Sequence, residues 1–371
     1  MSGAATGPLA GTAPRRPTRR VNVGSVPLGG GAPVAVQSMT NTPTEDPQAT
    51  LAQIAHLAKA GCEIVRVAVP NRGALPGFRE IAEGSPLPVV ADIQFSAELA
   101  VRSIEAGAAK VRINPGNIGG RGSVRRVADA ARAAGIPVRV GVNAGSLAED
   151  IRRKHGGVSA AALVESALHE VSILESFGFG SIVVAIKASD ARRTIDACRL
   201  LAAATDCPQH LGVTEAGLPR AGLVKSAYAL GTLLSEGIGD TLRVSLTADP
   251  VAEVRAGWEI LRCVGLRRRG PELVSCPTCS RCQIDLIALA ESVEDALAEI
   301  VEPMTVAVMG CVVNGPGEAK EADVAVCVEK GGGVITRHGE VVRRVGELEI
   351  LSALMAEVRA FLRDRAAQKG R

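Results

Sequence analysis

Aromatic side chains are scarce here: one Trp, one Tyr and five Phe among 371 residues. Seven rings leave few platforms on which bases could stack, and a net charge of +3 makes no basic surface for a phosphodiester backbone. Both absences argue against a nucleic-acid role. Long apolar runs are missing too. No stretch approaches the ~20 apolar residues of a membrane helix, and no signal-peptide hydrophobic segment is visible. The expectation is a soluble, cytoplasmic protein with no membrane partner. Nine cysteines scattered through such a chain fit a reducing compartment better than a disulfide framework. Nor is there a Gly-rich dinucleotide fingerprint at the first strand-to-helix turn, or any flavin motif, so electrons needed for redox chemistry would come from another protein.

What is present is alternation. From residue 34 to residue 247, short β-branched runs alternate with Ala- and Leu-rich helical stretches, the pattern of repeated βα units around a parallel sheet. Eight strands are predicted: Val34 to Ser38, Ile64 to Val67, Pro88 to Ile93, Lys110 to Asn114, Pro137 to Asn143, Ser181 to Lys187, Gln209 to Thr214 and Thr241 to Leu246. Eight units match a TIM (β/α)8 barrel, whereas a doubly wound sheet has five or six strands. The Gly-, Ala- and Pro-rich residues 1–20, ending in Arg15, Arg16, Arg19 and Arg20, read as a flexible, solvated tail, with an organelle transit peptide as the alternative. The basic, Gly-Pro-terminated stretch Leu266 to Pro271 reads as a domain boundary. The barrel is therefore assigned to residues 21–267 and a small α+β domain to residues 268–371. In the latter, helices are expected over Ile284 to Ile300 and Glu347 to Arg363, and strands over Thr305 to Met309 and Asp323 to Val328.

The small domain carries Cys276-Pro-Thr-Cys279 and then, after 31 intervening residues, Cys311 within Gly310-Cys-Val-Val-Asn-Gly-Pro-Gly-Glu318. Two residues between thiols let one turn of chain aim both sulfurs at one centre, and a distant third cysteine can close the site. Gly310, Gly315 and Gly317 allow backbone to pass close to a bulky inorganic group. An iron–sulfur cluster is the favoured guest. Cys282 offers a ferredoxin-like C-x-x-C-x-x-C alternative, a zinc ribbon would want a second C-x-x-C pair, and reduced buried thiols are the bland reading. Cys62, Cys198, Cys207, Cys263 and Cys327 read as core thiols.

Strands that should be apolar instead contain Arg66, Arg112, Arg139, Lys187 and Arg243, mostly in their C-terminal halves, the end at which TIM barrels place their active sites. Five buried cations repel one another unless an anion sits among them, and a phosphate ester is the natural guest. Asn114, Asn143 and Ser245 could add neutral donors. Asp92, Glu63 or Glu215 could instead pair with some of the cations. His210 and Glu215 flank the seventh strand as a possible proton-transfer pair, although His210 alone is equally well a satisfied core histidine.

Taken in order, Val36-Gln-Ser-Met-Thr-Asn-Thr42, Arg112-Ile-Asn-Pro-Gly-Asn117, Gly141-Val-Asn-Ala-Gly-Ser146, Lys187-Ala-Ser-Asp190, Thr214-Glu-Ala-Gly217, the Cys276/Cys279 pair and the Cys311 to Glu318 loop closely resemble the bacterial 4-hydroxy-3-methylbut-2-enyl diphosphate synthases, in their two-domain form. The resemblance runs from about Arg15 to the end of the chain. It implies reductive ring opening of 2-C-methyl-D-erythritol 2,4-cyclodiphosphate in the non-mevalonate isoprenoid pathway, with electrons delivered singly by flavodoxin or ferredoxin. It further implies a homodimer and a 4Fe-4S cluster held by Cys276, Cys279, Cys311 and Glu318, leaving Cys282 outside the ligand set. Arg66, Arg112, Arg139, Asn143, Lys187 and Arg243 match the family's diphosphate cradle and Glu215 its proposed proton donor; Ser245 and His210 are further candidate contacts. Gln94 stands where the family usually has histidine, so it can donate a hydrogen bond but carry no charge. Two rivals belong to other classes: a barrel lyase or transferase on a phosphate ester with a structural metal, and a non-catalytic metal-binding protein.

Overall fold

In the computed structural model, which describes residues 13–369 apart from 115, 116, 312 and 314, the chain divides between Arg267 and Arg268 into two units. The first begins with an antiparallel hairpin of β1 (Val21–Val23) and β2 (Val26–Leu28). Eight parallel strands follow: β3 (Ala35–Met39), β4 (Ile64–Ala68), β5 (Val89–Asp92), β6 (Lys110–Ile113), β7 (Val138–Asn143), β8 (Ile182–Lys187), β9 (His210–Leu211) and β10 (Thr241–Leu242). Their order is β8-β7-β6-β5-β4-β3-β10-β9, and a parallel bridge between Val184 and Gln209 joins the two ends. That is a closed TIM barrel. Each predicted strand is present, but the last two are short. The predicted continuations of β9 to Thr214 and of β10 to Leu246 leave the ladder, which frees their backbone to line the barrel mouth.

Helix starts are chemically marked. Asp46, Ser96, Ser159, Asp190 and Asp249 each accept a hydrogen bond from the first turn of the helix that follows, satisfying donors that would otherwise have no partner. The hairpin caps the barrel's N-terminal end: Val21, Val23 and Leu28 pack on Ala35, Ile64, Val90 and Val183. Nothing in its short sequence announced this, because three-residue strands carry almost no periodic signal.

The reading of residues 1–20 as a solvated tail is corrected for its last part. Arg15 donates to Gly239 O and Asp240, Arg16 to Ala202 O, Thr205 O and Cys207 O, and Arg19 pairs with Asp206 and Glu175. Guanidinium forks find the carbonyls left unpaired at the end of helix Ala191–Ala204, where the helix dipole favours a cation. Residues 1–12 lie outside the described residues.

The second unit is a five-stranded sheet ordered β11 (Pro271–Ser275), β12 (Met304–Met309), β13 (Val324–Glu329), β14 (Gly332–Arg337) and β15 (Glu340–Gly346). The first three are parallel and the last three antiparallel. Alternation along β12 and β13 assigns the faces. Val306, Val308, Val324, Val326 and Val328 pack with helices Leu286–Leu297 and Ile350–Lys369, while Ala307, Met309, Ala325 and Cys327 pack with Ala319 and Ala322. Strands β11, β14 and β15 were not predicted. Pro271 reads as a breaker yet occupies the first residue of a strand, where no ladder N–H is needed, and β15 is almost wholly exposed, so it lacks apolar alternation. One core reading changes: Cys263, last residue of helix Pro250–Cys263, is exposed. Glu357 on the closing helix is buried against Arg337 at 2.6 Å. Cys62 and Cys198 are buried, and burial pushes both thiols up to about 12.

Candidate functional site

Inward positions alternate along a barrel strand, and the interior layers are built by alternate strands. At the C-terminal mouth this brings together Arg66, Asp92, Gln94, Arg112, Arg139, Asn143, Lys187, Thr214, Arg243 and Ser245 around a cavity of about 140 Å³. Typical pockets for drug-sized ligands are roughly 300–1,000 Å³, so this one suits a compact, polar guest. A wider groove of about 680 Å³ lies among helices, lined half by apolar and half by polar residues, with His155 tied to Glu165 at 2.8 Å. None of its lining residues is a buried cation, and the mouth is the better candidate despite its size.

The mouth holds five cations. Asp92 opposes two of them, at 3.1 Å from Arg112 and 3.6 Å from Arg66. Arg66 also donates to Met39 Sδ at 2.9 Å. Glu253, from helix Pro250–Cys263, lies 3.4 Å from Arg243 and accepts from Leu246 N at 2.8 Å. Its role had no sequence signal, because it lies on a helix among other surface-like acids. Arg139 is 2% exposed, and its Nε and Nη1 have no hydrogen-bond partner within the protein. Lys187 has no ion pair among the described residues. Burial, reinforced by Arg139, Arg66, Arg243 and Arg112, holds the Lys187 amine well below the usual lysine range. Burial alone would raise the Asp92 carboxyl; Arg66, Arg112 and Arg139 outweigh it and hold the carboxyl below its ordinary value. So two carboxylates oppose five cations, and buried donors on Arg139 have nothing to bind. An anion with several oxygens is what this arrangement lacks.

Two glycines make room for the cations. A Cβ on Gly141 would stand 2.8 Å from Arg112 Nε, and one on Gly212 would stand 2.7 Å from both Lys187 Nζ and Arg243 O. Gly212→Ala must therefore displace the Lys187 amine or the adjoining strand. We expect pyrophosphate affinity, measured by calorimetry, to fall by about tenfold, the equivalent of one good charged contact; unchanged affinity would remove Lys187 from the anion site.

Of the thirteen barrel residues singled out from sequence, nine line the mouth, Asp92 among them, and Asn114, though buried, is outside that lining. His210 does not line it either. Inward positions on its strand step through His210, Gly212 and Thr214, and only the last reaches the mouth, so His210 lies deeper, 1% exposed, with neither ring nitrogen partnered. Burial and the nearby Lys187, Arg139, Lys110 and Arg66 hold it well below the usual histidine range, hence neutral. Glu215 follows the lining residue Thr214 without itself lining the cavity. It is exposed with φ 52, a left-handed conformation that a non-glycine residue adopts only when its surroundings enforce it. Glu63 pairs with Arg267 at 2.7 Å, away from the mouth cations. Pro115 and Gly116 of the Arg112 motif lie outside the described residues.

In the second unit the strand ends position the thiols. Ser275 pairs with Val308 and Met309 with Cys327, so Cys276, Gly310 and Cys311 emerge together where β11 and β12 finish. Gly310 N donates to Cys276 Sγ at 3.3 Å, and a Cβ on Gly310 would meet Cys282 Sγ at 2.7 Å and Cys276 Sγ at 3.6 Å. A Cβ on Gly315 would meet Cys327 Sγ at 3.0 Å. Close thiol packing thus requires glycine at both places. Glu318 lies in the first turn of helix Gly315–Glu321, and Cys279 is exposed. Cys327 is buried, and burial, then Cys311 and Cys276, raises its thiol to about 11, keeping it protonated. Among the described residues no three His, Cys, Asp or Glu side chains gather closely enough to hold a single metal ion. Val312 and Asn314 of the loop are outside the described residues. The donor set nonetheless fits a sulfur-ligated cluster in kind: soft thiols, none in a disulfide, beside glycines and with a backbone N–H directed at sulfur.

A TIM barrel whose mouth gathers five basic side chains, followed by a unit whose strand ends present thiols outside any disulfide, defines a two-domain TIM-barrel protein with a thiol-bearing second domain. Comparison with known proteins makes this specific. The model of the GcpE TIM-barrel domain matches residues 18–258, and that of the GcpE protein C-terminal domain matches residues 272–360. The chain belongs to the GcpE family. It is 55% identical over 348 residues to the 4-hydroxy-3-methylbut-2-en-1-yl diphosphate synthase (flavodoxin) of Geobacter sulfurreducens, covering 94% of this chain and 99% of that one. Identity to the protein of the same name from Maridesulfovibrio salexigens is 52% over 355 residues, 95% and 99% of the two chains. No helix among the described residues is long and apolar enough to cross a membrane.

Proposed function

We propose that this chain converts 2-C-methyl-D-erythritol 2,4-cyclodiphosphate into 4-hydroxy-3-methylbut-2-enyl diphosphate, an isoprenoid precursor. Two electrons and two protons enter, a ring C–O bond breaks and water leaves. The observation that carries this reading is the mouth itself: five basic side chains against Asp92 and Glu253, with Arg139 donors that have no partner within the protein and that a bound anion would satisfy. Family membership supplies the reaction that needs such a mouth.

Arg66, Arg112, Arg139, Lys187 and Arg243 bind the diphosphate, and Asn143, Ser245 and Gln94 add neutral hydrogen bonds around it. Asp92 keeps Arg66 and Arg112 turned inward in the empty protein. Glu215, in its enforced backbone conformation, delivers a proton to the departing hydroxyl. Cys276, Cys279, Cys311 and Glu318 hold a 4Fe-4S cluster, which when bound supplies electrons one at a time. Its carboxylate ligand differs from the three thiolates in being harder and more exchangeable. A flavodoxin or ferredoxin delivers the electrons, and the working form is a cytoplasmic homodimer.

The deciding experiment is anaerobic turnover of protein reconstituted with iron and sulfide, given a strong reductant and the cyclic diphosphate, with the linear product read by mass spectrometry. Product that depends on both cluster and reductant supports the reading and shows that Gln94 is tolerated in place of histidine. An intact, reducible cluster with no product would sink it. Glu215→Gln is expected to keep the cluster and slow turnover by about 10²- to 10⁴-fold, the usual worth of a general acid; near-normal kcat would exclude the role. Cys282→Ala is expected to retain full iron and sulfide content, and loss of either would make Cys282 a ligand.

A further inference from the structure

TIM barrels fill their interior with branched aliphatic side chains. Beneath this mouth the barrel is polar instead. Lys110 on β6 is fully buried, and its Nζ has one hydrogen bond, to Gln37 Oε1 at 3.3 Å. Around it Gln37 Nε2, both nitrogens of His210 and Thr241 Oγ1 are buried and without partners in the protein. Nothing assigned so far uses Lys110, and it does not line the mouth.

The charges facing it are almost all of one sign. On neighbouring β7 stands Arg139, on β5 the lone carboxylate Asp92, on β4 Arg66, and on β6 itself Arg112. Across the barrel are Lys187, the neutral His210 and Arg243. Asp92 is already engaged by Arg66 and Arg112. The hairpin β1–β2 below carries no charged residue. Helix Ala97–Glu105 packs outside β6, with Arg102 and Glu105 exposed and Glu98 paired to Arg102. An interior this crowded with cations relieves itself most cheaply by losing a proton. Guanidinium does not give one up, whereas a buried amine does. Lys187 lines the cavity; Lys110, at zero exposure, is sealed beneath it.

We propose that the Lys110 amine couples occupancy of the mouth to proton uptake: it is neutral when the mouth is empty and becomes an ammonium, taking a proton from solvent, when a diphosphate dianion binds above it. Burial, then Arg139 and Arg66, hold this amine well below the usual lysine range in the empty protein, which agrees. No covalent bond changes, and the proton returns to solvent when the anion leaves. Binding therefore weakens as pH rises, by up to about tenfold per pH unit for one linked proton. The inference rests on the mouth's being a diphosphate cradle.

The test uses full-length protein and inorganic pyrophosphate. Calorimetry in buffers of different ionisation enthalpy counts protons taken up on binding. Wild type is expected to take up more than Lys110→Met by an amount approaching one proton, and to show the steeper loss of affinity with pH. In parallel, nitrogen-15 spectra of labelled lysine side chains should show a neutral amine that is missing from Lys110→Met and becomes ammonium when pyrophosphate is added. Lys110→Arg, whose charge is permanent, should lack that resonance. Binding with equal uptake in wild type and Lys110→Met, or an empty protein whose lysines are all ammonium, overturns the inference and leaves the cradle standing. Failure of pyrophosphate to bind at all overturns both.

Discussion

Arg139→Met is expected to make the empty protein more stable and the enzyme nearly useless. Arg139 is buried with two unpartnered nitrogens, and burial together with Arg66 and Arg112 disfavours its charge. Replacing a buried, uncompensated cation with an apolar side chain of similar length is often stabilising, by about 1–3 kcal/mol. In the complex the balance reverses. Those nitrogens belong to the cradle proposed for the diphosphate, and losing one partner of a desolvated charge pair costs about 2–4 kcal/mol, or roughly 30- to 700-fold in Kd. Thermal unfolding without ligand and calorimetry with pyrophosphate measure the two arms separately. A lowered melting temperature together with intact pyrophosphate binding would mean that Arg139 is a structural residue. A binding site built from repelling cations also predicts that pyrophosphate stabilises the wild type strongly, by about 3 kcal/mol at a hundredfold excess over Kd, and the variant far less.

Cys311→Ser should remove the cluster rather than weaken it. A serine hydroxyl is smaller, harder and not ionised near neutral pH, so it replaces a thiolate poorly on iron. Cys311 lies two residues beyond Met309, the last of β12, and Gly310 N is already committed to Cys276 Sγ, so the backbone has little freedom to bring another donor in. Iron and sulfide after reconstitution should fall to a small fraction of wild type and turnover should vanish, while far-ultraviolet circular dichroism and pyrophosphate binding stay intact because the barrel is a separate unit. A variant that still assembles a full complement of iron would show that Cys311 is not a ligand, and Cys282 and Cys327 would be the thiols to examine next.

The sequence alone determined the periodic elements, and through them the fold class. Eight β-branched runs separated by helical stretches leave a parallel barrel as the economical arrangement, because each βα unit must bury its strand on both faces. It also determined the cations and the thiols, which stand out as residue types that an apolar strand or a short Gly-rich loop does not ordinarily carry. Tertiary structure decided everything that depends on depth and on distant partners. Inward positions differ in level by two residues, so the same strand pattern gave Lys187 a place at the mouth, sealed Lys110 inside and put His210 below the layer it was expected to join. Glu253 became the partner of Arg243, and Glu63 that of Arg267, through packing between elements far apart in the chain. Arg15, Arg16 and Arg19, chemically indistinguishable from a solvated basic tail, became anchors because unpaired carbonyls of folded helices and loops lay within their reach. Composition and spacing are local quantities and survive in the sequence; burial and charge balance are sums over neighbours that exist only once the barrel has closed.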